Sequence, residues 1–242
     1  MIEIKALASS SRGNAYYISD GVTPLLVECG LSFRQIQRGI GFSVSGLAGC
    51  LVTHEHKDHS KAAADLMKAG VEVYATNGTI DMLKLSGHRL TAVEALKQFQ
   101  VGSWYILPFD TQHDAAEPVA YLLQSMASGV KLLYATDTYY IKYRFKGLTH
   151  LMIEANYAED LLSENVRKGA LHPAMKKRIR RSHFSLGNVK EFLKANDLSQ
   201  VREIWLIHLS DGNSDAERFK TEVQELTGKP VFVAVEREEV AS

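Results

Sequence analysis

The sequence predicts a layered α/β domain, with two mixed sheets carrying helices on their outer faces. Three observations carry that prediction. Apolar, β-branched runs crowd the first thirty residues, and strand-like and helix-like runs alternate after them. Beyond residue 100 a second group of strands is followed by a second group of helices. A chain of 242 residues with 45% hydrophobic content can also bury a sizeable core. No linker, low-complexity segment or short-period repeat divides it, so residues 1–242 read as one domain.

Each element has its own warrant. MIEIKAL and AYYIS are strands flanking the small polar loop ASSSRGN, and PLLVECG follows the turn at Asp20-Gly21. Ser32 is placed to cap the helix FRQIQRGI, which stops near Gly39 to Gly41. LAGCLVTH reads as a buried strand, SKAAADLMKAG as a helix closed by Gly70, and VEVYAT as a strand. GTIDMLKLSG is a short helix. SWYILPFDTQH, VAYLLQSM, KLLYATD and HLMIEANY are strand-like runs with short polar joins. The helices AEDLLSENVRKG, PAMKKRIRRS and SLGNVKEFLKAND follow. Finally the strands VREIWLIHLS and KPVFVAV enclose the helix SDAERFKTEVQELTG.

Bulk charge narrows the function. Lys+Arg and Asp+Glu are both 28, so the net charge is zero and nucleic-acid binding through global charge is disfavoured. A local basic patch has to be sought instead. Cys29 and Cys50 sit in apolar runs, which predicts buried thiols in a reducing compartment. No stretch reaches the ~18 apolar residues of a membrane span, and the start lacks a signal-peptide core. The expectation is a soluble, cytoplasmic protein with no membrane partner.

Chemistry is concentrated in LVTHEHKDHS, residues 51–60, which places His54, His56, Asp58 and His59 directly after an apolar run. If the strand continues through LVTHEH, His54 and His56 face one side together. The chain then turns at Asp58 and His59 before a helix that starts near Ser60. A solvated turn with Asp58 as helix cap is the plain alternative. Against it, clustered imidazoles without a metal or carboxylate repel once protonated, whereas neutral imidazole and carboxylate together suit zinc, manganese or iron. Other apolar runs also end in ligand-type residues, at His113, Asp137 and His208. In open α/β sheets ligands bind beyond the carboxyl ends of strands, so these runs can converge at one sheet edge.

This set, H54-x-H56-x-D58-H59 followed by His113, Asp137 and His208, resembles the metallo-β-lactamase superfamily along essentially the whole chain. The resemblance implies a four-layer αβ/βα sandwich with a two-metal site between the sheets. It implies that His54, His56 and His113 hold one divalent ion, that Asp58, His59 and His208 hold the other, and that Asp137 bridges them. Zinc and manganese are the expected metals, and the ligand set also admits iron. His56, where flavin-linked di-iron relatives carry Glu, implies a hydrolase. Glu28, at a position where the superfamily often has Asp, is expected to support the ligand loop by hydrogen bonds.

A second cluster lies in PAMKKRIRRSHFSLGN. Lys176, Lys177, Arg178, Arg180 and Arg181 precede His183, a concentration that invites an anion, phosphate above all. An exposed basic helix face is the simpler account of these charges taken alone. SHFSLGN, HLSDGNSD, ASSSRGN and EANY resemble the YycJ (WalJ) branch and its phage-encoded relatives, which sit with the superfamily's nucleases and phosphodiesterases. That implies that His183 contacts phosphate or protonates the leaving oxygen. Ser10, Ser11 and Asn14, with Ser9, are candidate phosphate donors, as are Lys177 and Arg181. Glu154 and Asn156 are candidates to orient a histidine. Asn213 is placed to cap the helix after HLS. His88, His150 and His172 read as surface or packing residues. The run Tyr139, Tyr140, Lys142, Tyr143, Arg144, Phe145 could stack single-stranded bases, although packing explains it more simply.

The expectation is therefore a dinuclear metal-dependent phosphodiesterase or nuclease acting on DNA or RNA through attack by metal-bound hydroxide. Asp58, Asp137 and His183 are its expected catalytic residues. Two alternatives stay open. One is a small-molecule hydrolase of the same fold, cleaving a thioester, lactone or cyclic-phosphate ester, with a closed pocket and no role for the basic helix. The other is a non-catalytic, metal-stabilised module that binds nucleic acid or a partner.

Overall fold

A computed structural model describes residues 2–234. Its first sheet contains β1 (Glu3–Ser10), β2 (Gly13–Ser19), β3 (Pro24–Val27), β4 (Gly49–Leu51), β5 (Val73–Thr76) and β6 (Leu90–Val93), in that order. The pairings β1–β2 and β2–β3 are antiparallel, and those from β3 to β6 are parallel. Its second sheet contains β7 (Phe99–Val101), β8 (Trp104–Asp110), β9 (Val119–Ser125), β10 (Lys131–Ala135), β11 (His150–Glu154), β12 (Glu203–Ile207) and β13 (Val231–Val233). These seven lie in reverse order, β13 to β7, with the β10–β13 half parallel and the β7–β10 half antiparallel.

The helices α1 (Phe33–Gly39), α2 (Lys57–Ser60), α3 (Ala63–Lys68) and α4 (Asn77–Leu83) belong to the first half of the chain. The second half contributes α5 (Glu159–Arg167), α6 (Pro173–Ser182), α7 (Leu186–Lys194) and α8 (Ala216–Thr227). Ser32 caps α1 in a capping box with Gln35, as its sequence signature requires.

Strand periodicity sorts the core into layers. Leu25 and Val27 of β3 face a central cluster with Trp104, Tyr121, Leu132 and Tyr134 of the other sheet, while Leu26 faces outward. In β12, Trp205 and Ile207 point to that same centre, while Ile204 and Leu206 join an outer cluster with Val189 and Phe192 of α7 and Phe219 and Val223 of α8. Ile36 of α1 and Leu66 of α3 cover the outer face of the first sheet. Alternation along each strand thus builds helix, sheet, sheet, helix, the four-layer sandwich that the sequence predicts.

Several local expectations are corrected. ASSSRGN is not a loop: β1 and β2 run through it to a turn at Ser11 and Arg12. The strand before the histidines ends at Leu51, so His54 to His56 form an irregular segment. The following helix starts at Lys57, not Ser60, and divides into α2 and α3. Strands β6 and β7 were not expected. They are short and largely exposed, so their alternation gives little signal. Asp215, not Asn213, caps α8. Part of the predicted last strand, Val235, lies outside the described residues.

Candidate metal centre

The parallel order of β3, β4, β10, β11 and β12 brings their carboxyl ends to one edge of the sandwich. There the chain leaves β4 for His54, β8 for His113, β10 for Asp137 and β12 for His208, while Glu154 is the last residue of β11. Asp58 and His59 enter from the first turn of α2. Glu28, Asp137 and His208 take positive φ values of 64°, 46° and 53°, in the left-handed region that non-glycine residues rarely adopt. Such backbone costs of order 1–3 kcal/mol per residue and concentrates at functional sites.

Three groups of donor atoms share Asp137; in one it joins Glu154, His183 and His208, and two others remain. One contains His54, His56, His113 and Asp137, and the other Asp58, His59, Asp137 and His208. In the first, His56 Nδ1 lies 3.1 Å from His54 Nε2 and 3.2 Å from His113 Nε2. Asp137 Oδ2 closes it, 3.2 Å from His54 Nε2 and 3.6 Å from His113 Nε2. In the second, His59 Nε2 is 3.0 Å from Asp137 Oδ2 and 3.4 Å from Asp58 Oδ2, and His208 Nε2 is 3.7 Å from Asp58 Oδ2.

These spacings fit metal ions. Four ligands at ~2.0–2.1 Å in a tetrahedron sit about 3.3 Å from one another. His208 Nε2 is moreover buried without a hydrogen-bond partner among the described residues, whereas Asp137 Oδ1 lies 2.7 Å from His208 Nδ1. A bound cation supplies the missing partner for an atom such as His208 Nε2.

Two buried glutamates set the tautomers. His54 Nδ1 lies 2.9 Å from Thr53 Oγ1, whose own proton goes to Glu28 Oε1 at 2.5 Å. His54 Nδ1 therefore donates, and its bare Nε2 faces the cluster. Glu28 Oε1 also lies 3.3 Å from His59 Nδ1. On the other side, Glu154 Oε1 accepts from His208 Nδ1 at 2.9 Å and from His183 Nδ1 at 2.7 Å. The Ser182 carbonyl accepts from His113 Nδ1 at 2.8 Å. Each outer partner leaves Nε2 free to act as ligand, the arrangement by which outer groups orient metal-binding imidazoles. Glu28 is fully buried, with Oε1 on the Thr53 hydroxyl and beside His59.

The electrostatics favour positive charge. Burial opposes a proton on His59 and His208, yet Asp137 and the other nearby carboxylates outweigh it and raise both well above the ordinary imidazole range. Burial lowers His54 to about 3, assisted by the like charge of His59. Burial would raise Asp58 and Asp137, but the histidines around them hold both carboxylates below their usual range. Burial also opposes charge on His183, and Glu154 and Asp137 prevail to raise it to about 9. A field that draws protons also draws cations, which displace those protons on binding.

The remaining candidates divide. His183 is partly exposed and lines an open cavity of about 540 Å³ together with His56, Asp58, His113, Asp137 and His208. Ser11 and Asn156 reach the same cavity. Asn156 also donates to the His208 carbonyl at 2.9 Å. Asn14 is fully buried behind α2, 3.2 Å from His59 Nε2 and 3.3 Å from the Asp58 carbonyl, and not in the cavity wall. The Ser10 hydroxyl accepts from the Arg12 N–H at 3.2 Å, a local turn contact. Ser9, less favoured by the sequence, is the serine that accepts from the His208 N–H, at 2.9 Å.

Three of the five cations on α6 are paired: Lys176 and Arg180 with Glu159, and Arg178 with Asp114. Lys177 and Arg181 have no ion-pair partner among the described residues. Gly30, which no motif singled out, is essential to the packing: a Cβ there would lie 1.7 Å from the Asp58 carbonyl oxygen. Its only sequence signal is its position just beyond a strand. No helix among the described residues is long and apolar enough to cross a membrane.

The family described as beta-lactamase superfamily domain matches residues 23–209. The chain is 29% identical over 248 residues to exodeoxyribonuclease YycJ of Bacillus anthracis, covering 96% of this chain and 91% of that protein. It is 30% identical over 228 residues to exodeoxyribonuclease WalJ of Streptococcus pneumoniae, covering 87% of this chain and 82% of that one. Among solved structures, the metallo-β-lactamase fold protein YhfI of Bacillus subtilis superposes with a TM-score of 0.73 at 15% identity over 98% of each chain. Human tRNase Z, short form, superposes with a TM-score of 0.66 at 12% identity over 98% of each. At these structural identities the likeness shows a shared fold.

Proposed function

The chain belongs to the beta-lactamase superfamily, and on that premise we propose that it is a dinuclear metal-dependent phosphodiesterase that cleaves nucleic acid. One observation carries the reading: two His/Asp clusters share Asp137, and His183 stands beside them in the same open cavity. The similarity to two exodeoxyribonucleases supports the substrate class.

His54, His56 and His113 would hold one ion and Asp58, His59 and His208 the other, with Asp137 available to both. Imidazole with carboxylate suits zinc and manganese, and also iron. A pair of divalent ions at such a site activates water and neutralises charge on phosphoryl oxygens. The chain's own side chains do the rest. Glu154 fixes His183 with Nδ1 protonated, so its other ring edge is left for a substrate oxygen. His183 carries a proton at neutral pH and delivers it to the leaving oxygen. Cations held beside it would lower its pKa, towards the range where proton delivery is most effective. Lys177 and Arg181 hold phosphates without reading sequence.

The test is a panel of purified protein with zinc or manganese, an aryl phosphodiester, and labelled single- and double-stranded DNA and RNA. Phosphodiester turnover is expected, lost in both Asp137→Ala and His183→Ala, with metal retained in His183→Ala. Cleavage of a thioester or lactone with nucleic acid left intact would establish the small-molecule alternative. Metal binding with no turnover of any substrate would establish the non-catalytic one.

A further inference from the structure

Two further cavities share walls with the one at the metal centre. One, of about 540 Å³, has His113 and Arg178 in common with it and is lined by Tyr139, Lys177 and Arg181. The other, of about 600 Å³, has Lys57 and Asp58 in common with it and is lined by Lys61. Four exposed cations line this row of adjoining cavities: Lys177 and Arg181 in one neighbour of the centre, Lys61 in the other, and Lys57 where that other meets the centre. None has an ion-pair partner among the described residues, although other basic groups nearby do. The two arms differ in one respect. The Lys177 arm offers an aromatic ring, Tyr139, 38% exposed; the Lys61 arm is lined by Leu83 and Leu85.

The aromatic-basic run noted in the sequence resolves accordingly. Tyr143 and Phe145 pack against the outer core cluster, and Lys142 pairs with Asp110. Tyr139 and Tyr140 are both exposed, and Tyr139 lines the groove on a braced backbone: its N–H donates to the Gln112 carbonyl at 3.2 Å and its carbonyl accepts from Asn188 at 3.0 Å. Every base has a π-face, and an exposed tyrosine that shares a cavity wall with two unpaired cations suits an unpaired base.

We infer that the groove is a single-strand track running past the metal centre on both sides, with a base-stacking subsite at Tyr139 flanked by Lys177 and Arg181. This deepens the phosphodiesterase reading and rests on it for the nature of the ligand. A duplex base is already stacked and cannot use the ring, so the subsite selects single strands.

The experiment measures fluorescence anisotropy with full-length, zinc-loaded protein and labelled phosphorothioate oligonucleotides, which resist cleavage. DNA, RNA and duplex arms are run together. Tyr139→Ala is expected to weaken single-strand binding about 5- to 150-fold. Tyr139→Phe keeps the ring and the affinity, and duplex binding is unchanged in both variants. The pair Lys177→Ala/Arg181→Ala lowers the slope of log affinity against log salt by about 1.4, two phosphates at ~0.7 each. Hydrolysis of the small aryl diester stays at the wild-type rate in the two Tyr139 variants. Tyr139→Ala with wild-type single-strand affinity overturns the subsite, as does an equal loss on duplex. Failure of the wild type to hydrolyse the aryl diester instead counts against the phosphodiesterase reading, and the binding arms still decide the subsite.

Discussion

Replacing Gly30 by alanine sets a methyl carbon 1.7 Å from the Asp58 carbonyl oxygen and 2.8 Å from the Asn14 nitrogen. Ordinary contact begins at 3.4 Å, so the backbone of α2 must retreat by about 3.4 − 1.7 = 1.7 Å, or Gly30 must move away by as much. Metal–ligand distances tolerate about 0.2 Å. The displacement exceeds that several-fold, and it falls on Asp58 and His59, the ligands carried by α2. The hydrogen bond from the Cys29 N–H to the His59 carbonyl, 2.7 Å, is strained with it. His54, His113 and Asp137 lie on other segments and keep their places, leaving His56, the N-cap of α2, as the one member of the first cluster next to the displacement. Metal analysis of Gly30→Ala, after dialysis against limiting zinc, should give about one ion per chain where the wild type gives two. Overpacking should also cost about 1–3 kcal/mol in denaturant unfolding. Gly187→Ala is the control: its new carbon meets nothing nearer than 3.6 Å, within α7, and stability should hold or rise by up to ~1 kcal/mol. Two tightly bound ions and unchanged unfolding in Gly30→Ala would refute the idea that this glycine positions the second cluster.

Other perturbations reach different parts of the molecule. Glu28→Gln should weaken metal binding by about 10–100-fold at both clusters, read by competition with a chromogenic chelator, while the effect of Glu154→Gln should fall mainly on the cluster holding His208. In chelator-stripped protein, the raised His183 stabilises the fold fully below pH ~6.5, and that contribution is lost as pH rises towards about 9. His54, lowered to about 3, destabilises increasingly as pH falls below ~6.5. Denaturant midpoints at pH 4.5, 6.5 and 9 should therefore peak at the middle value, and a flat profile would contradict these shifts. Trp104, wholly buried between the sheets with its Nε1 donating to the Thr23 carbonyl at 2.9 Å, should cost about 3–5 kcal/mol as Trp104→Ala, with metal stoichiometry kept at saturating zinc.

How much of this was legible depended on whether the signal was local. The layered fold followed from runs such as LLV and EIWLI, whose alternation survives in the contacts of Leu25, Leu26 and Val27. Ligand-type residues at the ends of apolar runs pointed to His113, Asp137 and His208, because strand ends are visible in sequence. Lys177 and Arg181 stood out only as part of a charge run. Their lack of partners depends on Glu159 and Asp114 taking up the neighbouring charges, which is a tertiary fact. The path of His54 to His56 was misread because an apolar run gives no sign of where pairing stops. Ser9 and Ser10 are equivalent in sequence, yet they point to opposite faces of β1, and only Ser9 meets His208. Gly30 carried no signal because a clash with a residue twenty-eight positions away has no local trace.

Glu28 touches both halves of the centre at once, His54 through Thr53 and His59 directly. Neither half can then be retuned in isolation: any change that shifts this one carboxylate alters the basicity of an imidazole on each side. Loading one ion should stiffen the seat of the next, so occupancy ought to climb steeply with free metal. Scarcity would leave chains either empty or full, with few half-loaded molecules between.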